Sequence, residues 1–197
     1  MAIDPYLYPF TQVLKNLAGI EDSNRLLQFE AVSTAHRISE LSLSPISGKF
    51  DATHLQRIHR HIFQDVYSWA GEFRTVDMRK EGEFWFCRHE FIERSLIDLS
   101  GKLSGENQLK ATTPEQFGSR AGYYMSELNV IHPFREGNGR TQREFIRVLG
   151  LQVGLSVNWA QVTQQEMYRV SIASFQRGGH RLLGDLIVGI TTVLNSR

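Results

Sequence analysis

The sequence predicts a mainly α-helical protein, a helical bundle with one β-hairpin. In several segments the apolar residues recur every three or four positions, which is the spacing of an amphipathic helix. One segment, residues 71–87, instead carries β-favouring residues on both sides of a turn. No repeat, low-complexity tract or linker interrupts the chain, so residues 1–197 are interpreted as a single domain.

The first predicted helix has Asp51 as its N-cap and runs to about Tyr67. Its apolar residues share one face of the helix. They are Leu55, Ile58, Ile62 and Val66. We therefore expect this helix to pack one side against the core.

The hairpin prediction rests on residues 71–87, GEFRTVDMRKEGEFWFC. Aromatic and β-branched residues lie on both sides of a Lys-Glu-Gly turn. They are Phe73, Val76, Phe84, Trp85 and Phe86. We expect this hairpin to be the only β element of the chain.

Further helices are predicted towards the C-terminus. Thr113–Gln116 form a capping-box pattern with proline at the first helical position, and the helix that they open has an apolar face. This helix should end near Ile131, because Pro133 disfavours helical backbone angles at the residue before it. The other helices are predicted over about residues 89–103, 139–153, 163–175 and 180–194.

Composition limits the classes of function. The 22 Lys and Arg residues nearly balance the 21 Asp and Glu residues, so no basic surplus indicates nucleic-acid binding. The N-terminus lacks the pattern of a signal peptide, and no apolar run is long enough to span a bilayer. The single cysteine, Cys87, cannot form an internal disulfide, which fits a cytoplasmic setting.

The residue pattern that indicates chemistry is the segment HPFREGNGRTQR. Within it, Gly137, Asn138 and Gly139 lie at a predicted helix start, where backbone N–H groups have no intrahelical partner and the helix dipole favours an anion. Glycines also let a phosphate approach the backbone closely. Arg140 and Arg143 follow on the same helix, and cations at this end cost stability unless an anion is bound. The segment therefore predicts a phosphate-binding site.

Two more residues of this segment have suitable chemistry. A carboxylate beside bound phosphates is tolerated when a divalent cation lies between them, and Mg²⁺ held by Glu136 and phosphate oxygens would fit. His132 has an imidazole that titrates near neutrality, as a general base requires. Each of these features alone is more often structural. Together, in this order, they predict nucleotidyl or phosphoryl transfer.

The same segment resembles the signature of the Fic family, His-x-Phe-x-Asp/Glu-Gly-Asn-Gly-Arg-x-x-Arg, at every defined position. The resemblance extends from Asp4-Pro5-Tyr6 through SGKFD (47–51) and YSWAGEFR (67–74) to NWAQV (158–162). It is strongest to bacterial Fic toxins of toxin–antitoxin pairs and to related Fic domains of secreted effectors. The resemblance implies the Fic fold, with a signature core at about residues 113–154 and the hairpin as a flap beside the active site.

This resemblance implies a protein adenylyltransferase that moves AMP from ATP to a Ser, Thr or Tyr hydroxyl of a target protein. His132 would be the general base, Glu136 the Mg²⁺ ligand and Phe134 a buried structural wedge. The ATP-binding residues would be Gly137, Asn138, Gly139, Arg140 and Arg143. The flap residues that hold the target would be Val76, Asp77, Met78, Arg79, Lys80, Glu81 and Gly82. A solvated turn is an equally simple interpretation of the charged residues among the last four.

Family members are often inhibited by a helix with the pattern Ser/Thr-x-x-x-Glu-Gly/Asn, whose glutamate pairs with the second signature arginine. The three Glu-Gly or Glu-Asn pairs of this chain begin at Glu81, Glu106 and Glu136, and none has Ser or Thr four residues earlier. We therefore expect a small antitoxin to supply this glutamate in trans, directed at Arg143. The chain would then be a toxin in the bacterial cytoplasm.

Other functions remain open at this point. The chain could be an effector domain delivered into a host cell, a relative that transfers phosphate or phosphocholine, or a degenerate partner-binding module. The intact Gly-Asn-Gly-Arg-x-x-Arg pattern favours AMP transfer over other transfers, and the complete signature argues against a degenerate site. A helical DNA-binding protein is disfavoured by the near-neutral charge.

Overall fold

The computed structural model describes residues 4–79, 84–177 and 179–194. Helices make up most of these residues, as the sequence predicts. The helices are α1 (Ser23–Leu43), α2 (Ala52–Phe63), α3 (Ile92–Gly105), α4 (Pro114–Ile131), α5 (Asn138–Gln152), α6 (Gln164–Arg177) and α7 (Arg181–Gly189). Two short strands, β1 (Leu155–Val157) and β2 (Thr191–Val193), pair antiparallel.

The predicted helix starts are confirmed by the side-chain caps. Asp51 caps α2 by accepting a hydrogen bond from the His54 N–H at 2.8 Å. At the start of α4, Thr113 and Gln116 form both hydrogen bonds of the capping box. Each cap satisfies N–H groups that have no partner inside the helix, so the first turn begins at a defined residue.

Helix α1 was not predicted, because apolar residues do not form a continuous stripe along its buried face. That face includes Glu30 and Thr34 beside Leu26 and Leu41. Polar residues at buried positions interrupt the apolar periodicity on which a sequence-based helix prediction depends.

Two helix ends were predicted wrongly, and both strands of the small sheet were missed. Helix α2 ends at Phe63 and not near Tyr67, because the chain turns where the N–H groups of Val66 and Tyr67 both bond to the Phe63 carbonyl. The predicted helix over residues 180–194 ends at Gly189, and the residues after it form β2. The hairpin is therefore not the only β element, since β2 pairs with β1.

The hairpin is shorter in the described residues than the sequence predicts. It consists of one antiparallel bridge between Arg79 and Trp85 and a 3.1 Å hydrogen bond from the Phe86 N–H to the Met78 carbonyl. Lys80, Glu81 and Gly82, the predicted turn, lie outside the described residues. The chain direction thus reverses here as predicted, with little regular strand on either side.

Helix α4 lies at the centre of the fold and contacts α3, α5, α6 and α7. Its buried side chains fill the core from several directions. They include Phe117, Ala121, Tyr124, Met125 and Leu128. Its contact with α7 is close because glycines face each other: a Cβ added at Gly122 would lie 2.3 Å from the Gly184 nitrogen. Among the helices of the described residues, none combines the length and apolar character needed to cross a bilayer.

We predict that Gly122→Ala destabilises the protein by roughly 1–3 kcal/mol, because the added methyl group meets the backbone of α7. Gly101→Ala on α3 is the matched control. A Cβ there meets nothing within 4 Å, so alanine should stabilise the helix by about 0.5–1 kcal/mol. Urea unfolding of both variants measures the two free energies. Equal effects of the two substitutions would contradict the close helix contact.

Candidate active site

The candidate catalytic histidine lies where helix α4 ends. His132 is the C-cap and has left-handed backbone angles (φ 48°, ψ 62°), while its N–H still bonds to the Leu128 carbonyl. The following proline excludes the right-handed helical conformation, so α4 cannot continue. The imidazole stacks on the ring of Phe86 with 3.8 Å between ring centroids. The side chain is thus oriented by the flap segment, which is far from it in sequence.

The loop between α4 and α5 is tied internally by Asn138. Its Oδ1 accepts from the Phe134 N–H at 2.9 Å, and its Nδ2 donates to the Phe134 carbonyl at 2.7 Å. Phe134 itself is buried, and its ring stacks on His59 with centroids 3.8 Å apart. The Asn138 side chain therefore holds the loop, and only its backbone N–H is left to face an anion.

Helix α5 begins with a glycine that cannot be replaced at low cost. Gly137 has a φ of 81°, and a Cβ there would lie 2.1 Å from the ring of Phe63. Its N–H donates to the Glu136 Oε1 at 2.7 Å. The next N–H groups belong to the first turn of α5 and have no partner within the helix. This end of α5 is therefore a site suited to an anion.

The two signature arginines differ in their electrostatic surroundings. Arg140 donates to Glu30 at 2.6 Å, to Thr34 at 3.1 Å and to Glu136 at 3.4 Å. This explains the polar buried face of α1, whose carboxylate and hydroxyl hold the guanidinium. The cation also lies over the Phe63 ring, 4.7 Å from its centroid. Arg140 is thus already neutralised by carboxylates of its own chain.

Arg143 has no ion pair with any carboxylate of the described residues. Its Nη1 lies 3.5 Å from the position that a Cβ on Gly139 would take, so the guanidinium folds back towards the start of α5. Burial, and then the charge of Arg140, lower the pKa of Arg143. A partly buried cation beside another cation favours a bound anion.

A cleft of about 310 Å³ opens beside Arg143. Its lining includes Ile38 and Ser42 of α1 and a wall formed by Trp159. The Trp159 Nε1 donates to the Arg143 carbonyl at 2.9 Å, which joins this wall to α5. A third arginine, Arg147, also lines the cleft, but it is bound by Glu144 at 2.7 and 2.8 Å. The cleft therefore combines apolar walls with one cation that lacks a carboxylate.

His59 supports the loop between α4 and α5 through a hydrogen bond to its backbone. Its Nδ1 accepts from the Gly71 N–H at 2.8 Å, so the proton lies on Nε2, which donates to the Glu136 carbonyl at 3.0 Å. Burial lowers the pKa of His59 to about 3. The ring is thus a neutral spacer between α2, the start of the flap segment and the loop.

The predicted flap residues are only partly available for a target. The Asp77 carboxylate accepts from the N–H and the Nδ1 of His89, both within 2.9 Å. These hydrogen bonds, the backbone one first, lower the pKa of Asp77. The Arg79 guanidinium lies 4.0 Å from the centroid of the Trp85 ring. The carbonyls of Val76 and Met78 accept hydrogen bonds from other residues of the flap, Arg74 and Phe86. Lys80, Glu81 and Gly82 lie outside the described residues.

The structure brings His132, Glu136 and the start of α5 together in one loop, as expected from their closeness in sequence. Sequence reasoning missed Glu30, His59 and Arg74, which contact this loop from other parts of the chain. Arg74 could have been found as the last residue of the conspicuous YSWAGEFR stretch (67–74), whereas no sequence pattern singles out His59. No comparable sequence pattern points to Glu30.

The described residues contain no cluster of three His, Cys, Asp or Glu side chains that could hold a metal ion by themselves. Glu136 is a single, partly exposed carboxylate at the helix start. Mg²⁺ commonly takes one or two carboxylates and completes its coordination with phosphate oxygens and water. The donor set thus fits a cation that arrives with a phosphorylated substrate.

Comparison with known proteins places this site in a family. The model of the Fic/DOC family matches residues 49–149. The chain is 40% identical over 173 residues to a Sinorhizobium fredii protein named "Probable protein adenylyltransferase y4lH", covering 87% of this chain and 88% of that protein. The chain belongs to the Fic/DOC family.

Another Fic relative is the protein adenylyltransferase VbhT of Bartonella schoenbuchensis, 45% identical over 184 residues. The alignment covers 93% of this chain, which spans only 38% of the length of VbhT. The Fic fold is matched by BepC, a VirB-translocated effector from Bartonella tribocorum solved with bound AMPPNP. That structure has a TM-score of 0.92 and 30% identity, and the match covers 96% of this chain and 97% of BepC.

A second Fic structure is the N-terminal Fic domain of a Bep effector from Bartonella quintana, solved with bound ADP. It has a TM-score of 0.92 and 31% identity, and the match covers 96% of this chain and 95% of that chain. The matches to both structures cover nearly the whole of this chain, including segments before residue 49, where the match to the family model begins. The arrangement of helices around the signature is therefore the family arrangement.

We predict that His59 makes the protein less stable in acid. The unfolded state binds a proton below a pKa of about 6.5, whereas the folded state resists it down to about 3. Stability is therefore lost as the pH falls from about 6.5 towards 3. Between pH 7 and 5 this residue should account for roughly 2 kcal/mol of the loss.

Urea unfolding of the wild type and of His59→Gln at pH 7 and pH 5 tests this expectation. Other titrating groups are common to both proteins, so the difference between their pH dependences isolates His59. The variant should lose less stability than the wild type on acidification. A parallel pH dependence of the two proteins would mean that the imidazole takes up a proton in the folded state.

Proposed function

We propose that this chain is a protein adenylyltransferase that moves AMP from ATP to a Ser, Thr or Tyr hydroxyl of a target protein. One observation carries the proposal. A single short loop connects the C-terminal end of α4, which bears His132, to the first turns of α5, which bear Arg143. A base and an anion site thus lie side by side. The complete signature and the names of the relatives VbhT and y4lH support the same activity.

In this proposal His132 accepts the proton of the target hydroxyl as the oxygen attacks the α-phosphorus of ATP. A new bond forms between this oxygen and phosphorus, the bond from the α-phosphorus to the bridging oxygen breaks, and pyrophosphate leaves. The N–H groups of Asn138 and Gly139 would stabilise the negative charge at the start of α5. The Gly137 N–H would join them when the Glu136 carboxylate, to which it donates, turns towards Mg²⁺. The stacking of His132 on Phe86 limits rotation of the imidazole and so supports its role as a positioned base.

The arginines would bind the outer phosphates. Arg143, which lacks a carboxylate partner among the described residues, is suited to the γ-phosphate. Arg140 would contact the phosphates while Glu30 holds its guanidinium in place. Glu136 would hold Mg²⁺ together with phosphate oxygens, and the bound ion would neutralise charge on the α- and β-phosphates.

The flap would hold the target segment by main-chain pairing beside His132. Among the described residues, the flap pairs with itself through one antiparallel bridge between Arg79 and Trp85, so backbone groups of the described flap residues have no long partner strand. An extended segment of the target could supply that partner. Its hydroxyl would then be presented to the imidazole, which the flap contacts through Phe86.

We expect transfer of label from α-phosphate-labelled ATP to a protein when the purified chain is incubated with Mg²⁺ and bacterial lysate. His132→Ala should reduce the labelling by about 10²–10⁴-fold, because a positioned base contributes that much. ADP binding, measured by calorimetry, should persist in this variant. Label from the γ-phosphate alone would contradict AMP transfer and indicate phosphoryl transfer.

We also propose that the chain is the toxin of a toxin–antitoxin pair, inhibited by a glutamate that a small antitoxin supplies in trans. The cleft beside Arg143 has room for such a side chain and has apolar walls for a helix. The glutamate would pair with Arg143 and so compete with the γ-phosphate. Within residues 1–197, none of the three Glu-Gly or Glu-Asn pairs has the Ser or Thr of the inhibitory pattern, which fits an inhibitor supplied in trans.

The chain alone should therefore be active, and its expression should slow bacterial growth. His132→Ala should remove the growth defect at equal protein level. A synthetic helix with the pattern Ser-x-x-x-Glu-Asn should reduce labelling by the wild type, and the same helix with Gln in place of Glu should not. Weak labelling by the isolated wild-type chain would count against an inhibitor supplied in trans.

A further inference from the structure

Arg74 has an unusual position between the flap and the end of helix α4. Its side chain is fully buried. The guanidinium donates to four main-chain carbonyls: Nε to His132 at 2.8 Å, Nη1 to Val76 at 2.6 Å, and Nη2 to Ile131 at 3.2 Å and to Cys87. One side chain thus contacts both ends of the flap and the backbone of the candidate base.

The charge of Arg74 is balanced mainly by backbone dipoles. Asp77 is the carboxylate near it, with 4.0 Å between the Arg74 Nη1 and the Asp77 Oδ1. Burial lowers the pKa of Arg74. The carbonyls at the end of α4 carry the negative end of the helix dipole, and two of the four acceptors belong to this end. The guanidinium therefore stabilises the helix end and is stabilised by it.

The same contact satisfies carbonyls that the chain reversal leaves without helical partners. The left-handed conformation of His132 ends α4, so the last carbonyls of the helix need hydrogen-bond donors from elsewhere in the chain. Backbone hydrogen bonds reinforce the join: the Arg74 N–H donates to the Pro133 carbonyl and the Cys87 N–H to the Val130 carbonyl, at 2.9 and 3.0 Å. The flap is thereby fastened to the residues on both sides of His132.

We propose that Arg74 is a positioning residue that sets the flap relative to His132. This inference rests on the proposed function, in which the flap holds the target hydroxyl beside the imidazole. Arg74 does not touch the anion site, which is built from residues 137–143. Its loss should therefore misplace the target with little effect on nucleotide binding, and a displacement of about 1 Å can cost on the order of 100-fold in rate.

Arg74→Lys is the main test, because lysine keeps the charge and loses the planar set of five donors. Four quantities are measured: kcat and KM for AMP transfer to the target, ADP affinity by calorimetry, and hydrogen exchange of peptides covering residues 84–88. Arg120→Lys is the control. Arg120 pairs with Glu106 on a surface of α4 away from the flap. Its substitution therefore perturbs an arginine pair without changing the contacts between Arg74, the flap and the end of α4.

We expect Arg74→Lys to lower kcat by about 10–100-fold and to speed exchange in residues 84–88, with ADP affinity within about two-fold of wild type. Arg120→Lys should leave all four quantities near wild type. Unchanged exchange together with wild-type kcat would overturn the proposal, as would a loss of ADP affinity equal to the loss of kcat. If neither Arg74→Lys nor Arg74→Gln folds, the residue is structural and the proposal fails.

The exchange measurement separates this inference from the proposed function. If the wild-type chain transfers no AMP to any protein, the proposed function fails. The effect of Arg74→Lys on residues 84–88 still decides whether Arg74 fastens the flap. If exchange is faster in Arg74→Lys but kcat stays at the wild-type value, Arg74 fastens the flap without positioning the target, and the proposal is overturned.

Discussion

Pro133 ends helix α4 at the residue that carries the imidazole, and the rest of the site depends on this stop. His132 takes a left-handed conformation, and Gly137 takes a second one where α5 begins. A helix C-terminus and a helix N-terminus are thereby brought into one short loop. The imidazole lies at the first end, and the unpaired N–H groups that can face an anion lie at the second.

Such a tight reversal leaves main-chain groups without helical partners, and buried side chains supply those partners. Asn138 bonds to both main-chain groups of Phe134, and His59 donates to the Glu136 carbonyl. Arg74 donates to the carbonyls at the end of α4. The loop is thus rigid because polar side chains from three parts of the chain are buried around it. Electrostatic catalysis benefits from such rigidity, since donors that are held in place need no reorganisation.

The same burial separates the two arginines of the signature. Glu30 and Thr34 on α1 hold Arg140, whereas Arg143 faces the cleft without a carboxylate from the described residues. Sequence spacing makes the two residues equivalent, since both lie on one face of α5. Helix α1 makes them different. Glu30 thus fixes the Arg140 guanidinium in place, whereas Arg143 has no carboxylate partner among the described residues.

The sequence by itself determined the features that depend on neighbouring residues. These are the capping box at Thr113, the end of α4 before Pro133 and the order of the signature, because backbone preferences and caps act over a few residues. Only the tertiary structure decided the partners of Arg140, the burial of Arg74 and the pairing of β1 with β2. Those contacts join residues far apart in the chain. A local sequence pattern does not predict these contacts, because they stabilise the fold only when the helices pack and exclude water.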